Sequence, residues 1–252
     1  MSAFYGACRN ELNKLLWRKK YRVFLATGIM ICILWAALAN LASNLIGQYG
    51  GLFINLTPTP MGVLPLFLQF FSPFLVFMAV TDLITTEAAE DTMKAMICRP
   101  VERWKLYTAK HLAVITYISL YLICVFVVST VLNQVWGRAL TAGELMATLA
   151  SYLLAIPILA VLTAFAALIA LAGRSATLTM LLLIVIYLTM SILSIIFPIL
   201  SGLLFTSYLG WYRLWIGVTP GALRLIHMLI IILGYGVVFF TAGSLIFDRK
   251  EY

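Results

Sequence analysis

The stretch DLITTEAAEDTMKAMICRPVERWKLYTAK, residues 82–110, holds ten of the chain's twenty-six Asp, Glu, Lys and Arg residues within 29 positions. Val23 to Thr81 on its N-terminal side carries no charged residue, and His111 to Gly137 on its other side carries none either when His is neutral. A hydrophilic loop set between two long apolar segments is what a membrane protein offers to a soluble partner. The whole composition agrees: 63% hydrophobic, 10% charged, with a mean hydropathy of +1.05. Soluble domains carry roughly 25% charged residues. The chain is therefore expected to be an all-α polytopic membrane protein.

A helix needs about 20 apolar residues to cross the hydrocarbon core. Six such runs are expected, at about 23–42, 63–84, 107–132, 145–172, 177–199 and 225–247. The uncharged stretch 23–81 is too long for one crossing and breaks at GQYGGLFINLTPTPMG, where Gly and Pro mark a turn-rich connection. Thr141-Ala142-Gly143-Glu144 has the pattern of a capping box for the fourth helix. Thr219-Pro220 places a capping hydroxyl before a proline, as at a helix start.

Lys and Arg set the orientation. With the N-terminus inside, inner segments hold fourteen of the seventeen, and outer segments hold only Arg138, Arg213 and Arg224. The positive-inside rule then places both termini in the cytoplasm and makes 82–110 the largest inner loop. The net charge of +8 reads as topology and lipid contact; no nucleic-acid partner is expected. No cleavable signal peptide is expected, because no clear small-residue site comes after the first apolar run. Cys8, Cys32, Cys98 and Cys124 have no zinc-ligand spacing, and no metal site or disulfide framework is expected.

Residues 4–20 place Phe4, Cys8, Leu12, Leu15 and Leu16 on one helical face, with Arg9, Asn13, Lys14 and Arg18 largely opposite. The pattern is that of an amphipathic helix along the inner leaflet, or of a basic flank that only sets topology. Residues 200–224 are apolar yet too broken to span. Their Phe205, Tyr208, Trp211, Tyr212 and Trp215 suit either a helix dipping back into the membrane or an ordinary aromatic belt. Asn55-Leu56-Thr57 matches a glycosylation sequon, but Pro58 comes next and a bacterial host is expected, so its use is not.

Within the loop, Asp82 is expected to end the second span, with Thr85-Thr86 capping the segment after it. Glu87, Glu90 and Asp91 put negative charge near helix N-termini, where the dipole favours it. A short helix from Asp91 or Thr92 would carry Met93, Met96 and Ile97 and stop at Pro100, since the residue before a proline disfavours helix. It is either a plug for a groove on a soluble protein or a solvated loop that enforces topology.

The N-terminal ELNKLLWRKKYRVFL, the six spans and this loop together resemble the permeases of type-2 ATP-binding-cassette exporters. That family shows an acidic residue, a Gly-Thr pair, an apolar stretch, Pro-x-x-Arg and a later Lys. Here Glu90, Thr92, Met96-Ile97, Pro100, Arg103 and Lys110 match, with Asp91 standing where Gly is usual. The resemblance implies residues 1–22 as a connecting helix and 23–252 as a six-span permease domain. It implies a coupling helix around 87–99 seated on a separate ATPase subunit, which would hold ATP and Mg. The contacts implied for that subunit are Glu87, Glu90, Asp91, Thr92, Met93, Met96, Ile97, Arg99, Pro100 and Arg103. It further implies a second permease copy or paralogue, surrounding lipid, export across the plasma (inner) membrane, and an amphipathic cargo such as a peptide antibiotic, drug or lipid-like compound. A G-x-x-x-x-G-K-[ST] phosphate loop is absent from the sequence, so no cofactor is expected on this chain.

Three other functions fit parts of the pattern. An ion-coupled carrier or channel would place ionisable groups or broken helices at mid-membrane; Asp82 is the nearest candidate, and Pro65, Pro73 and Pro157 could kink their spans. An intramembrane enzyme would need a cluster, yet His111 and His227 fall near opposite faces and read as interfacial anchors. A non-transporting scaffold would tolerate substitution in 82–110. Ala166, Ala170, Gly236 and Gly243 could support close helix packing under any of these readings.

Overall fold

The computed structural model describes residues 2–49, 59–90, 102–136, 140–215 and 222–250. Among them every regular element is helical. In chain order these are α1 (Ser2–Trp17), α2 (Lys19–Tyr49), α3 (Pro60–Ala89), α4 (Arg103–Val135), α5 (Ala142–Ala172), α6 (Ala176–Ile196), a one-turn α7 (Pro198–Ser201), a 3₁₀ segment (Phe205–Trp215) and α8 (Ala222–Arg249). Six of them, α2 to α6 and α8, are long and apolar enough to cross a membrane.

Helix α3 departs most from a plain helix. It runs unbroken to Ala89, so the second span does not end at Asp82 as the sequence suggested, and Thr85-Thr86 open no new helix. Two π turns, Phe67–Phe71 and Thr81–Thr86, interrupt its α geometry. The first lies just ahead of Pro73, whose ring would crowd the carbonyl four residues back, that of Gln69. The hydroxyl of Tyr187 donates to this Gln69 carbonyl at 2.7 Å. The second holds Asp82 and Thr85, both buried, and the Thr85 hydroxyl donates to the Ala170 carbonyl in the last turn of α5 at 3.1 Å.

Other boundaries are local. Thr141 and Glu144 close the expected capping box at the start of α5: the Glu144 amide donates to Thr141 Oγ1 at 3.3 Å, and the Thr141 amide to Glu144 Oε2 at 2.8 Å. Helix α6 stops at Ile196 rather than running to 199, because Pro198 lies just beyond and the residue before it disfavours helix. The sequon at 55–57 and the Thr219-Pro220 pair lie outside the described residues.

Helices α3, α4 and α5 make the interior of the bundle, while α2, α6 and α8 leave broad apolar faces exposed. Such faces are at ease in lipid, where burial of one apolar side chain against another gains little over contact with acyl chains. Small residues bring helices close: at Gly243 on α8 an added Cβ would run into the Tyr107 side chain, and at Gly28 on α2 it would come within 2.5 Å of the Tyr121 hydroxyl.

The segment after α7 resolves a choice that the sequence left open. Its aromatics do not form a surface belt: Phe205, Tyr208, Trp211 and Tyr212 are buried inside the bundle. The Phe205 ring lies 5.0 Å from Phe165, past the midpoint of α5, and 5.8 Å from Phe239 of α8. Trp211 Nε1 donates to the Leu154 carbonyl at 2.7 Å, in the turn of α5 that Pro157 loosens. The segment thus dips deep between α5, α6 and α8, and irregular backbone at such depth is tolerated only when protein surrounds it.

Candidate functional site

The beginnings of α2 and α4 and the ends of α3, α5 and α8 meet at one end of the bundle, beside α1. Arg103 at the start of α4 donates to the carbonyls of Asp248 and Lys250 at 2.9 and 3.2 Å, and Lys250 Nζ donates to the Leu171 carbonyl at 2.5 Å. Cations on the last carbonyls of α8 and α5 complement the negative end of each helix dipole.

At the heart of this end is a ring of four charges from three elements. Glu11 and Lys14 come from α1, Glu87 from the end of α3, and Lys110 from α4. Lys14 Nζ lies 2.7 Å from Glu11 Oε1 and 2.7 Å from Glu87 Oε1. Lys110 Nζ lies 3.1 Å from Glu11 Oε2 and pairs directly with Glu87 Oε2. Each acid touches both bases, the net charge is zero, and Glu11, Glu87 and Lys110 are buried. Burial pushes the Glu11 carboxyl up, but Lys110 and Lys14 beside it hold it below its ordinary value. Burial pulls the Lys14 ammonium down, and its hydrogen bonds to Glu11 and Glu87 carry it above its ordinary value.

A second group lies one turn further in. Asp82 is buried and accepts a hydrogen bond from the Tyr21 hydroxyl at 2.6 Å, with Arg18 Nη1 at 3.2 Å and Lys20 Nζ in contact with the same oxygen. The Tyr117 hydroxyl donates to the Tyr21 carbonyl at 3.1 Å, tying α4 into the set. Asp82 is therefore the clasp between α2 and α3, fully engaged by cations of the chain itself.

The residues expected to meet an ATPase fall in three places. Glu87 is turned inward into the ring of charges, and Arg103 is turned onto the end of α8. Glu90 is exposed in the turn that closes α3. Asp91, Thr92, Met93, Met96, Ile97, Arg99 and Pro100 lie outside the described residues, on the connection from α3 to α4.

Sequence reading missed the ring as a unit. Glu11 sits three residues from Cys8 and four from Leu15, on the arc read as apolar, and that offered a signal: a carboxylate on a buried face needs a buried cation. Lys14, read as facing away, bends back to Glu87. His111 is not an interfacial anchor either; its ring packs 5.2 Å from Phe240 and its Nδ1 is buried without a hydrogen-bond partner among the described residues.

An all-helical bundle with six membrane-length helices and a charged end knitted from α1, α3 and α4 defines a polytopic membrane protein built to pass strain between its basic end and its spans. A family model described as ABC-2 family transporter protein matches residues 8–190, from α1 into α6. The chain belongs to the ABC-2 transporter family, as a membrane permease component of transport rather than an enzyme. Membership implies in general an ATP-binding-cassette ATPase as partner. A search of curated proteins finds no match.

Proposed function

We propose that the chain is the permease subunit of an ATP-driven exporter, paired with a second copy or a paralogue. It lies in a bacterial plasma (inner) membrane with both termini cytoplasmic. Residues 1–22 act as a connecting helix along the inner leaflet, and 23–252 form the six-span permease domain. The ATPase, holding ATP and Mg, docks on the loop between α3 and α4 through Glu90, Asp91, Thr92, Met93, Met96, Ile97, Arg99 and Pro100. Glu87 and Arg103, at the two roots of that loop, take up the force.

The observation that carries this reading is the ring of Glu11, Lys14, Glu87 and Lys110. It bolts α1 to both helices that flank the loop, so a push on 91–101 moves α1, α3 and α4 together. A loop that only enforced topology would need no such anchorage. The cargo is an amphipathic compound that moves along the faces of α3 and α6.

The test is an affinity pull-down of the native chain from mild detergent, beside a variant carrying Glu90→Lys, Met96→Asp and Ile97→Asp. A Walker-motif ATPase is expected with the native chain and not with the variant. Retention by both overturns the docking loop, and absence from folded native protein overturns the permease reading.

A further inference from the structure

A cavity of about 290 Å³ opens among α4, α5 and α8 beside His111, but its walls are otherwise apolar and say nothing about an occupant. A second cavity, of about 410 Å³, lies between α3, α6, α7 and the 3₁₀ segment, and its walls are unlike those of any other part of the membrane-length helices. Tyr187, Ser191 and Ser194 enter it from one stripe of α6, at spacings of four and three residues that share a helical face. Gln69 of α3 and Thr206 and Arg213 of the 3₁₀ segment complete the polar lining.

Three observations give this lining a meaning. Its depth is the first: Tyr187 is at the middle of α6, and Thr206 adjoins Phe205, which reaches the centre of the bundle. Polar groups at such depth are costly and mark ligand pathways. The second is Thr206, 6% exposed, whose Oγ1 is buried with no hydrogen-bond partner among the described residues. The third is Arg213. Its guanidinium lies 5.9 Å from the Tyr212 ring centre and 3.4 Å from that hydroxyl, and among the described residues no carboxylate pairs with it. A cation without an anion, among hydroxyls that donate, is a receptor for an oxyanion. The remaining wall, including Phe70 and Leu188, is apolar.

We propose that this cavity binds the anionic head, a carboxylate or a phosphate, of an amphipathic molecule whose tail lies along α6. Arg213 supplies the charge, and Thr206, Ser191 and Ser194 supply hydrogen bonds. Much of this lining lies beyond the residues matched by the family, 8–190, so the chemistry belongs to this chain. As a cargo site the inference rests on the permease reading and names the class of compound that permease takes.

The experiment uses the full chain in phosphatidylcholine nanodiscs with two photoactivatable probes, a diazirine palmitic acid and a diazirine phosphatidylglycerol, and the methyl ester of the first. Crosslinks are mapped by mass spectrometry. One or both anionic probes are expected to label 191–195 and 205–213, and which one does so separates a free amphiphilic acid from a lipid headgroup. Labelling should fall about tenfold with the ester and with Arg213→Gln, the loss of one charge-assisted hydrogen bond, and should persist with Arg213→Lys. Thr206→Val, which keeps shape, should reduce it several-fold. Equal labelling by the ester, indifference to Arg213→Gln, or no labelling at these residues by either acid overturns the proposal. ATPase co-purification from the same preparations separates the two readings. Lost labelling with the ATPase retained sinks the cavity alone, whereas labelling without an ATPase sinks the permease reading and leaves a lipid-binding site.

Discussion

The Tyr187 hydroxyl donates to the Gln69 carbonyl at 2.7 Å, joining the middle of α6 to the wide turn of α3. The α-helical donor for that carbonyl would be the nitrogen of Pro73, which carries no hydrogen. A side chain from another span thus fills a vacancy that a proline created. Tyr187→Phe is expected to lower the unfolding free energy by about 1 kcal/mol, read as a lower Tm in detergent. In the background of Pro73→Ala, which restores an amide at that position, the same change should have a smaller effect. Equal effects in both backgrounds would contradict the pairing.

Lys110→Met is expected to be far more damaging than any exposed charge change in the chain. It leaves Glu11 and Glu87, both buried, to share Lys14 alone. Breaking a buried ion set by removing one partner costs about 3–5 kcal/mol. Adding Glu87→Gln restores the balance of one acid and one base, so the double variant should recover part of the lost Tm. A double variant less stable than Lys110→Met would show that the ring is not a closed electrostatic unit.

The same ring sets a pH dependence with two limbs. Glu11 has its folded value held below the ordinary 4.5, so its contribution is present above 4.5 and is lost as pH falls through the lowered value. Lys14 has its folded value raised above the ordinary 10.5, so its contribution is complete below 10.5 and is lost as pH rises through the raised value. Tm measured against pH should therefore be flat between these limits as far as this pair is concerned. Glu11→Gln should flatten the acid limb, and Lys14→Met the alkaline limb.

Gly28→Val tests the close approach of α2 and α4. The Cβ alone would come within 2.5 Å of the Tyr121 hydroxyl and 3.1 Å of the ring. Overpacking of this kind costs about 1–3 kcal/mol, seen as reduced Tm and yield. Tyr121→Phe should relieve part of it, since the hydroxyl is the nearest atom.

What the sequence revealed divides by the range of the interaction. The six spans and the capping box at Thr141 were legible because a hydropathy run and a pair three residues apart contain their own physics. Asp82 was misread as the end of a span because its partners, Arg18, Lys20 and Tyr21, are some sixty residues away. Glu87 was assigned to a helix N-terminus and a soluble partner by the same blindness to Lys14 and Lys110. The aromatic run 205–215 could not be placed by spacing alone, since spacing says which rings share a face and not whether that face meets lipid or protein. The stripe Tyr187, Ser191, Ser194 was visible as helical spacing but has meaning only once Gln69 and Arg213 are seen across from it.

The two wide turns of α3 bear on how this gene can change. Each closes its hydrogen bonds one residue later than an α turn, so each behaves as a single codon accommodated in place. Deleting one residue from 67–71 would let that turn relax to α geometry and rotate everything after it by about 100°. Asp82 would swing off Lys20 and Glu87 off Lys110 together. The helix is therefore tolerant of substitution along its lipid face and intolerant of any change in length, and its reading frame of contacts is counted from those two turns.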